Sequence, residues 1–285
     1  VLIALFGGAS LRFDGFCSAF VIADLFSENA FLGITAIGTT LVILSGGIDL
    51  SVGSVIGFTT IFTATMISDK GLPPLAVWAM AFAIGTGLGA VMGVLIQSFE
   101  MPAFLVTLGG LFFARGMAFA VKKESVQIDH PLYESLNDIT LPVGGGAELS
   151  FPALLFLALL VVAVIIARFT RFGRNLYAIG GNEDSALLMG LPVARTKIGV
   201  YTFNGFCSAL AGIAMIAAVA LFLIPSGEGG RLLDWDTAAT LRWDVLILFG
   251  GGLALAGILE QTGLAGWIGS QTELFRGLPT TALIL

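Results

Sequence analysis

The sequence predicts an all-α fold: a polytopic transmembrane helical bundle with a discontinuous helix or buried turn at residues 45–54. Three observations carry this. Hydrophobic residues make up 57% of the chain and charged residues 11%, with a mean hydropathy of +0.99, whereas a soluble domain is about 25% charged. Uncharged runs recur at lengths that cross a ~30 Å hydrocarbon core as helices. One such region is interrupted by LVILSGGIDLSVGS, residues 41–54, where Asp49 follows a glycine pair.

Taken in order, Val1 to Leu11 is expected to be the end of a helix whose start is missing, without the basic n-region of a cleavable signal peptide. Uncharged runs then cover Asn29–Ile48, Leu50–Ser68, Gly71–Phe99, Leu149–Ala167 and Ile198–Gly227. Two further candidates each hold a charge: Met101–Val121 contains Arg115, and Trp243–Leu259 contains Asp244.

Charge placement orients these spans. Arg168, Arg171, Arg174, Arg195 and Lys197 crowd into one loop, which the positive-inside tendency assigns to the cytoplasm. The preceding loop, Lys122 to Glu148, carries Glu124, Asp129, Glu134, Asp138 and Glu148 against two lysines, and is expected outside. Alternation then puts the Phe99–Met101 turn inside and Asp69-Lys70 outside.

Several chemistries are excluded. A net charge of −6 offers no basic stripe for nucleic acid. No G-x-x-x-x-G-K-[ST] exists, so the chain binds no nucleotide through a P-loop. His130 is the single histidine, and Cys17 and Cys207 sit in apolar GFCSA stretches, so no metal site is expected and the cysteines read as reduced packing residues. The glycine triplets at 144–146 and 250–252 lack the strand-to-helix context of a phosphate loop. No cofactor is expected.

An aspartate at the centre of a membrane helix costs about 2.5–3.5 kcal/mol on insertion scales, so Asp49 needs a compensating environment. Gly46 and Gly47 can relax the helix, and Asp49 before Leu50-Ser51-Val52 has the character of an N-cap for the next segment. Such a break is tolerated only inside protein or along a water-filled cavity. A cap alone and a pathway lining are compatible readings.

The cytoplasmic loop TRFGRNLYAIGGNEDSALLMGLPVARTK, residues 170–197, holds a short amphipathic stretch from Glu183 to Met189, starting after Asn182 and stopping at Gly190-Leu191-Pro192. Seven residues are unstable alone as a helix, so the bundle or a partner must hold them. Glu183 and Asp184 suit the helix start, while Leu187, Leu188 and Met189 offer an apolar contact. An ordinary connecting loop is the plain alternative.

The stretches FVIADLFSENAFLGITAIGTTLVILSGGIDLSVGSVIGFT, MPAFLVTLGGLFFARGMAFAV, SVQIDHPLYESL and TRFGRNLYAIGGNEDSALLMGLP resemble the membrane permease subunit of ATP-binding-cassette monosaccharide importers. Ribose- and xylose-type permeases share the GGIDLSVGS and GR-x2-YA-x-GGN patterns, and the IDHPLY segment makes the galactofuranose type more similar still. The resemblance covers roughly residues 13–213. It implies a multi-pass protein of the bacterial inner membrane that is not itself an enzyme. The implied partners are a second permease, as homo- or heterodimer, a cassette ATPase, and an extracytoplasmic sugar-binding protein. It also implies that Asn182, Glu183, Asp184, Ser185, Leu187, Leu188, Met189 and Gly190 form the helix that couples to the ATPase.

Residues 214–285 depart from this pattern. LLDW, then WDVLILFGGGLALA and TGLAGWIG, resemble part of a sodium-coupled dicarboxylate or sulfate carrier, although the SNT motifs of that class are missing from the sequence. The chain is therefore expected to be a composite: a permease-like region 1–213 joined to an incomplete carrier segment, 214–285. Sugar passage calls for a wet, weakly binding route. Candidates to face it are Ser45, Gly46, Gly47, Asp49, Ser51, Ser54 and Asn204, the alternative being interhelical hydrogen bonds of about 0.6 kcal/mol each. Gly85, Gly87, Gly89 and Gly93 read as close helix packing. Besides sugar import, a sodium-driven anion carrier and a fusion that transports nothing remain open.

Overall fold

The computed structural model describes residues 18–123, 126, 128, 130–144 and 146–220, together with a short antiparallel strand pair, Pro225–Ser226 with Gly230–Arg231. The helical bundle belongs to one compact unit, Val1–Ile224, and the strand pair to a second, Pro225–Leu285. The expected span Trp243–Leu259, Asp244, Cys17, the Val1–Leu11 helix end and most of the 214–285 segment lie outside the described residues.

Ten helices follow in order among the described residues: α1 (Ala19–Glu28), α2 (Ala30–Leu44), α3 (Val52–Ser68), α4 (Pro74–Ser98), α5 (Ala103–Val121), α6 (Pro131–Asn137), α7 (Phe151–Phe169), α8 (Arg171–Gly181), α9 (Glu183–Leu188) and α10 (Val193–Ala220). A hairpin, β1 (Thr140–Gly144) with β2 (Ala147–Ser150), precedes α7. Helices α4, α5, α7 and α10 are long and apolar enough to cross a membrane, and α1–α2 adds a fifth if the bent pair is one span. This is the predicted all-α bundle, with a small hairpin that the pattern of apolar runs does not reveal.

Three element boundaries differ from the expectation. Helix α1 was hidden because Asp24 and Glu28 interrupt the apolar run. It meets α2 at a 63° bend, where the Asn29 side-chain amide donates to Leu25 O (2.9 Å). Helix α10 starts at Val193 rather than Ile198, because Arg195 and Lys197 end the uncharged run without ending the helix. Helix α3 is only 17 residues long, since residues 45–51 are not helical.

Helix α10 is the central element, packed on α4, α2 and α3. Its contact with α4 is a glycine seam. A Cβ added at Gly89 would lie 2.2 Å from the Tyr201 carbonyl oxygen, and one at Gly205 would lie 2.2 Å from that of Gly85. Gly93 is also close, with an added Cβ lying 2.9 Å from Ile198 Cα. Three of the four predicted packing glycines thus take that role, whereas Gly87 opens onto free space. Small residues let the backbones approach closely, the main source of helix association where lipid removes any hydrophobic drive.

The ends of the bundle alternate as the charge pattern requires. Lys122 Nζ pairs with Asp69 Oδ2 (2.6 Å), joining the α3–α4 turn to the end of α5. At that same end the Trp78 indole donates to the buried Tyr133 hydroxyl (2.8 Å), and the Ser150 amide donates to Ser27 Oγ (3.2 Å). Burial pushes the Tyr133 hydroxyl up to about 12, opposed by the Trp78 hydrogen bond. At the opposite end the helix break, the α4–α5 turn and the α9 connector meet around one cavity of about 260 Å³.

Candidate functional site

Helix α2 stops where glycine permits it. Gly46 has φ +76°, a conformation that favours glycine. Its amide donates to Ile43 O (2.9 Å), while that of Gly47 donates to Val42 O (3.0 Å). Together these close the last turn in a Schellman arrangement. The backbone continues non-helically to Val52, so the predicted discontinuity is present.

The role expected of Asp49 is corrected in one respect. The N-cap of α3 is Ser51, with no side-chain cap bond. Asp49 stands two residues before it, and its Oδ1 accepts from the Ser51 amide (2.8 Å) and hydroxyl (2.6 Å). This local turn spends that oxygen before the free amides of α3 are reached. The other oxygen, Oδ2, accepts from Asn204 Nδ2 of α10 (2.8 Å). The carboxylate is therefore held by a turn and a neighbouring helix rather than by the end of α3.

Of the predicted pathway residues, the fold brings Asp49, Ser51 and Asn204 into one hydrogen-bonded group. Ser45 is buried but donates to Val42 O of its own helix (2.7 Å). Ser54 is half-buried one turn into α3. Gly47 lies against the Tyr201 hydroxyl, 2.6 Å from where a Cβ would stand, and that hydroxyl donates to Ile48 O (3.2 Å). Tyr201 was missed in the sequence. The signal was a polar stripe at helical spacing on α10: Lys197, Tyr201, Asn204 and Ser208. The buried Asn204 Oδ1 has no hydrogen-bond partner among the described residues and faces Gly38, whose added Cβ would fall 2.4 Å away.

The connector is built from the same end. Asn182 caps α9, its Oδ1 accepting from the Ser185 amide (2.7 Å). Ala186 is buried against Ile179 and Val193, which fastens the six-residue helix to the bundle. Glu183 pairs with Lys197 of α10, and Gly190 ends the turn at φ +74°. Asp184 and Ser185 are exposed. Leu187, Leu188 and Met189 do not pack on the bundle: they are 63%, 89% and 68% exposed. Just before α9, Gly180 touches the end of α2, where an added Cβ would lie 1.9 Å from Leu44 O. Helix α8, which leads into the connector, is thus in direct contact with the helix break. His130 plays a local part, its Nδ1 accepting from the Leu132 amide (3.1 Å). Cys207 is buried and free.

The family described as branched-chain amino acid transport system / permease component matches residues 21–229. The chain belongs to this family. It is a multi-pass inner-membrane permease, and the resemblance carried by GGIDLSVGS and YAIGGN is borne out. This permease is 42% identical to the inner membrane ABC transporter permease protein YjfF of Escherichia coli K12, over 90% of this chain and 77% of that protein. It is 35% identical to the fructose import permease protein FruG of Bifidobacterium longum, over 84% of this chain and 71% of that one. With the ribose import permease protein RbsC of Escherichia coli K12 the identity is 32%, over 96% of this chain and 83% of the relative. A second family, the sodium:sulfate symporter transmembrane region, matches residues 175–284. No solved structure matches.

Proposed function

We propose that this permease is the membrane-spanning subunit of an importer that carries a monosaccharide across the bacterial inner membrane, powered by a separate cassette ATPase. The chain itself performs no chemical conversion. A second permease subunit completes the passage, and an extracytoplasmic sugar-binding protein delivers the substrate. Relatives named as fructose and ribose import permeases support the substrate class.

The observation that carries the reading is α9. A helix this short gains no stability from length, yet it is capped by Asn182, anchored through Ala186 and tied to α10 by Glu183. It presents Leu187, Leu188 and Met189 to solvent. Such an anchored apolar tip suits insertion into a groove on an ATPase. Force applied there reaches the Asp49 turn by two short routes, through Gly180 onto Leu44 and along α10 through Lys197 and Tyr201 to Asn204.

Purification of the full chain from detergent-solubilised membranes is expected to recover a cassette ATPase. Leu187→Asp with Leu188→Asp is expected to abolish recovery while the helical content stays intact. Undiminished recovery would remove the docking assignment.

The match over residues 175–284 favours a second reading, a sodium-coupled anion carrier. It is weaker, because the SNT motifs are absent from the sequence. Sodium-dependent succinate or sulfate uptake into proteoliposomes without any ATPase would select it. We retain the division into 1–213 and 214–285 as a proposal. Sugar uptake that survives replacement of 214–285 by the corresponding part of a ribose permease would support it.

A further inference from the structure

Helices α2 and α7 do not close on each other along their cytoplasmic halves. A groove of about 340 Å³ runs between them, floored by the small residues Gly33, Ala36 and Thr40 of α2 and Ala163 and Ala167 of α7. Leu44, Leu160 and Val164 form its walls, so it is apolar along its length. Phe156 marks the inner end: a Cβ added at Gly33 would lie 2.5 Å from its ring, and a second hollow begins beyond it toward the α1–α2 bend. From Gly33 to Leu44 the helix rises about 17 Å at 1.5 Å per residue. One leaflet of a ~30 Å hydrocarbon core is about that deep.

The mouth of the groove has a different chemistry, because Arg168 and Tyr177 line it there. Tyr177 stands on α8, an amphipathic helix that buries Gly173, Leu176 and Ile179 and exposes Arg171, Arg174 and Tyr177 at three-residue spacing. Arg168 is exposed as well, and the two ion pairs among the described residues involve Lys122 and Lys197 instead. Three cations thus gather at the cytoplasmic end of an apolar groove, and no carboxylate among the described residues is paired to them. Basic pockets between membrane helices on that side of a bilayer recognise anionic headgroups.

We propose that this groove binds an anionic phospholipid of the cytoplasmic leaflet, with one acyl chain lying between α2 and α7 as far as Phe156. Arg168 and the Tyr177 hydroxyl donate to the headgroup phosphate, and Arg171 and Arg174 add positive charge around it. Charge and shape together choose this occupant. A lipid carries its anion and its apolar chain in the order in which the groove presents arginine and aliphatic wall, whereas an apolar protein segment would leave the three guanidiniums unmatched. Lipid tails gain nothing hydrophobic by leaving the bilayer for such a groove, so selection falls to the headgroup. Each basic residue near an anionic membrane surface raises affinity about fivefold. The lipid also bridges two elements of the candidate site, since α2 ends at the Gly46 break and α8 leads into the connector. The inference stands on the membrane placement and orientation of the chain and needs neither its cargo nor its ATPase.

The test places the full chain in phosphatidylcholine vesicles doped with a lipid that carries a photoreactive diazirine at the end of one acyl chain. With a phosphatidylglycerol probe, peptide mass spectrometry is expected to find the label on residues 33–36 and 156–160, about tenfold more than with a phosphatidylcholine probe at the same dose. Unlabelled phosphatidylglycerol is expected to displace it, and inorganic phosphate is not. Arg168→Gln, Arg171→Gln and Arg174→Gln together are expected to cut the preference to about twofold or less, while lysine at the same three positions retains it. Thr40→Phe fills the groove without touching the headgroup and is expected to remove the label. All four positions are exposed, so the bundle tolerates the changes. Equal labelling by the two probes, label spread over the outer face of α7 at Val161 and Ile165, or a preference that survives the triple glutamine change would each overturn the proposal. So would displacement by inorganic phosphate, which marks a site for the free anion, or p-benzoylphenylalanine in place of Thr40 capturing a protein segment in native membranes. The labelling is read without sugar or ATPase, so its failure is separable from failure of the permease reading.

Discussion

Replacing Asp49 tests whether its neighbours compensate for a carboxylate held within the membrane. Three donors converge on it: the Ser51 amide at 2.8 Å, the Ser51 hydroxyl at 2.6 Å and the Asn204 amide at 2.8 Å. Hydrogen bonds to a charged acceptor contribute about 1.5–3 kcal/mol each. Together they exceed even the about 2.5–3.5 kcal/mol that insertion scales assign to a carboxylate at the centre of a membrane helix, the upper bound for a break near the end of the bundle. Asp49→Ala is therefore expected to destabilise the bundle by about 2–5 kcal/mol, because it removes the acceptor and leaves buried donors unmatched. Asp49→Asn is expected to lose about 1 kcal/mol or less. Its amide oxygen can keep both Ser51 bonds, and Asn204, turned about its amide axis, can present the Oδ1 that now lacks a partner. The assay is unfolding of the purified chain in mixed detergent and sodium dodecyl sulfate, followed by tryptophan fluorescence and far-ultraviolet circular dichroism. Wild-type stability in Asp49→Ala, or Asp49→Asn less stable than Asp49→Ala, would refute this account of the break.

Gly89→Ala is expected to push α10 off α4 and lose about 1–3 kcal/mol in the same assay, whereas Gly87→Ala, facing open space, is expected to be neutral or to gain about 0.5–1 kcal/mol from helix propensity. Tyr133 titrates near 12 when folded and near 10.0 when free. Between those values the folded state holds a proton that the unfolded state releases, so stability falls as pH rises through that window, by about 2–3 kcal/mol in all. Alkaline unfolding curves are expected to lose that dependence in Tyr133→Phe, and a phenolate titration complete by pH 10 would contradict it. Asp69→Asn, which breaks the exposed pair with Lys122, is expected to change stability by less than about 1 kcal/mol, with the difference shrinking at high salt.

The spans, their alternation and the capped connector were legible because each is a local property. A run of apolar residues, a basic loop, or Asn182 followed by Glu183 and Asp184 acts over a few neighbours. The glycine pair before Asp49 likewise announced a break, since Gly46 adopts a φ that side chains resist. What local spacing could not decide was which donors hold Asp49. Its partner Asn204 lies 155 residues away, and the cap role read from sequence failed because Oδ1 is used by Ser51 first. Helix α1 and the first turn of α10 were lost for a related reason, since hydropathy treats a charge as an end while the backbone continues through it.

The amino-acid order alone determined that this protein lives in a membrane, which loop carries the basic charge, and where the long apolar helices run. Those follow from the transfer energy of side chains and from backbone propensities, both settled over short range. Only the tertiary structure decided that α10 stands at the centre, that Gly180 and Tyr201 bracket the broken helix, and that Leu187, Leu188 and Met189 point away from the bundle. These depend on which helix faces meet, and in lipid that choice is made by close backbone approach and scarce polar contacts between residues far apart in the chain.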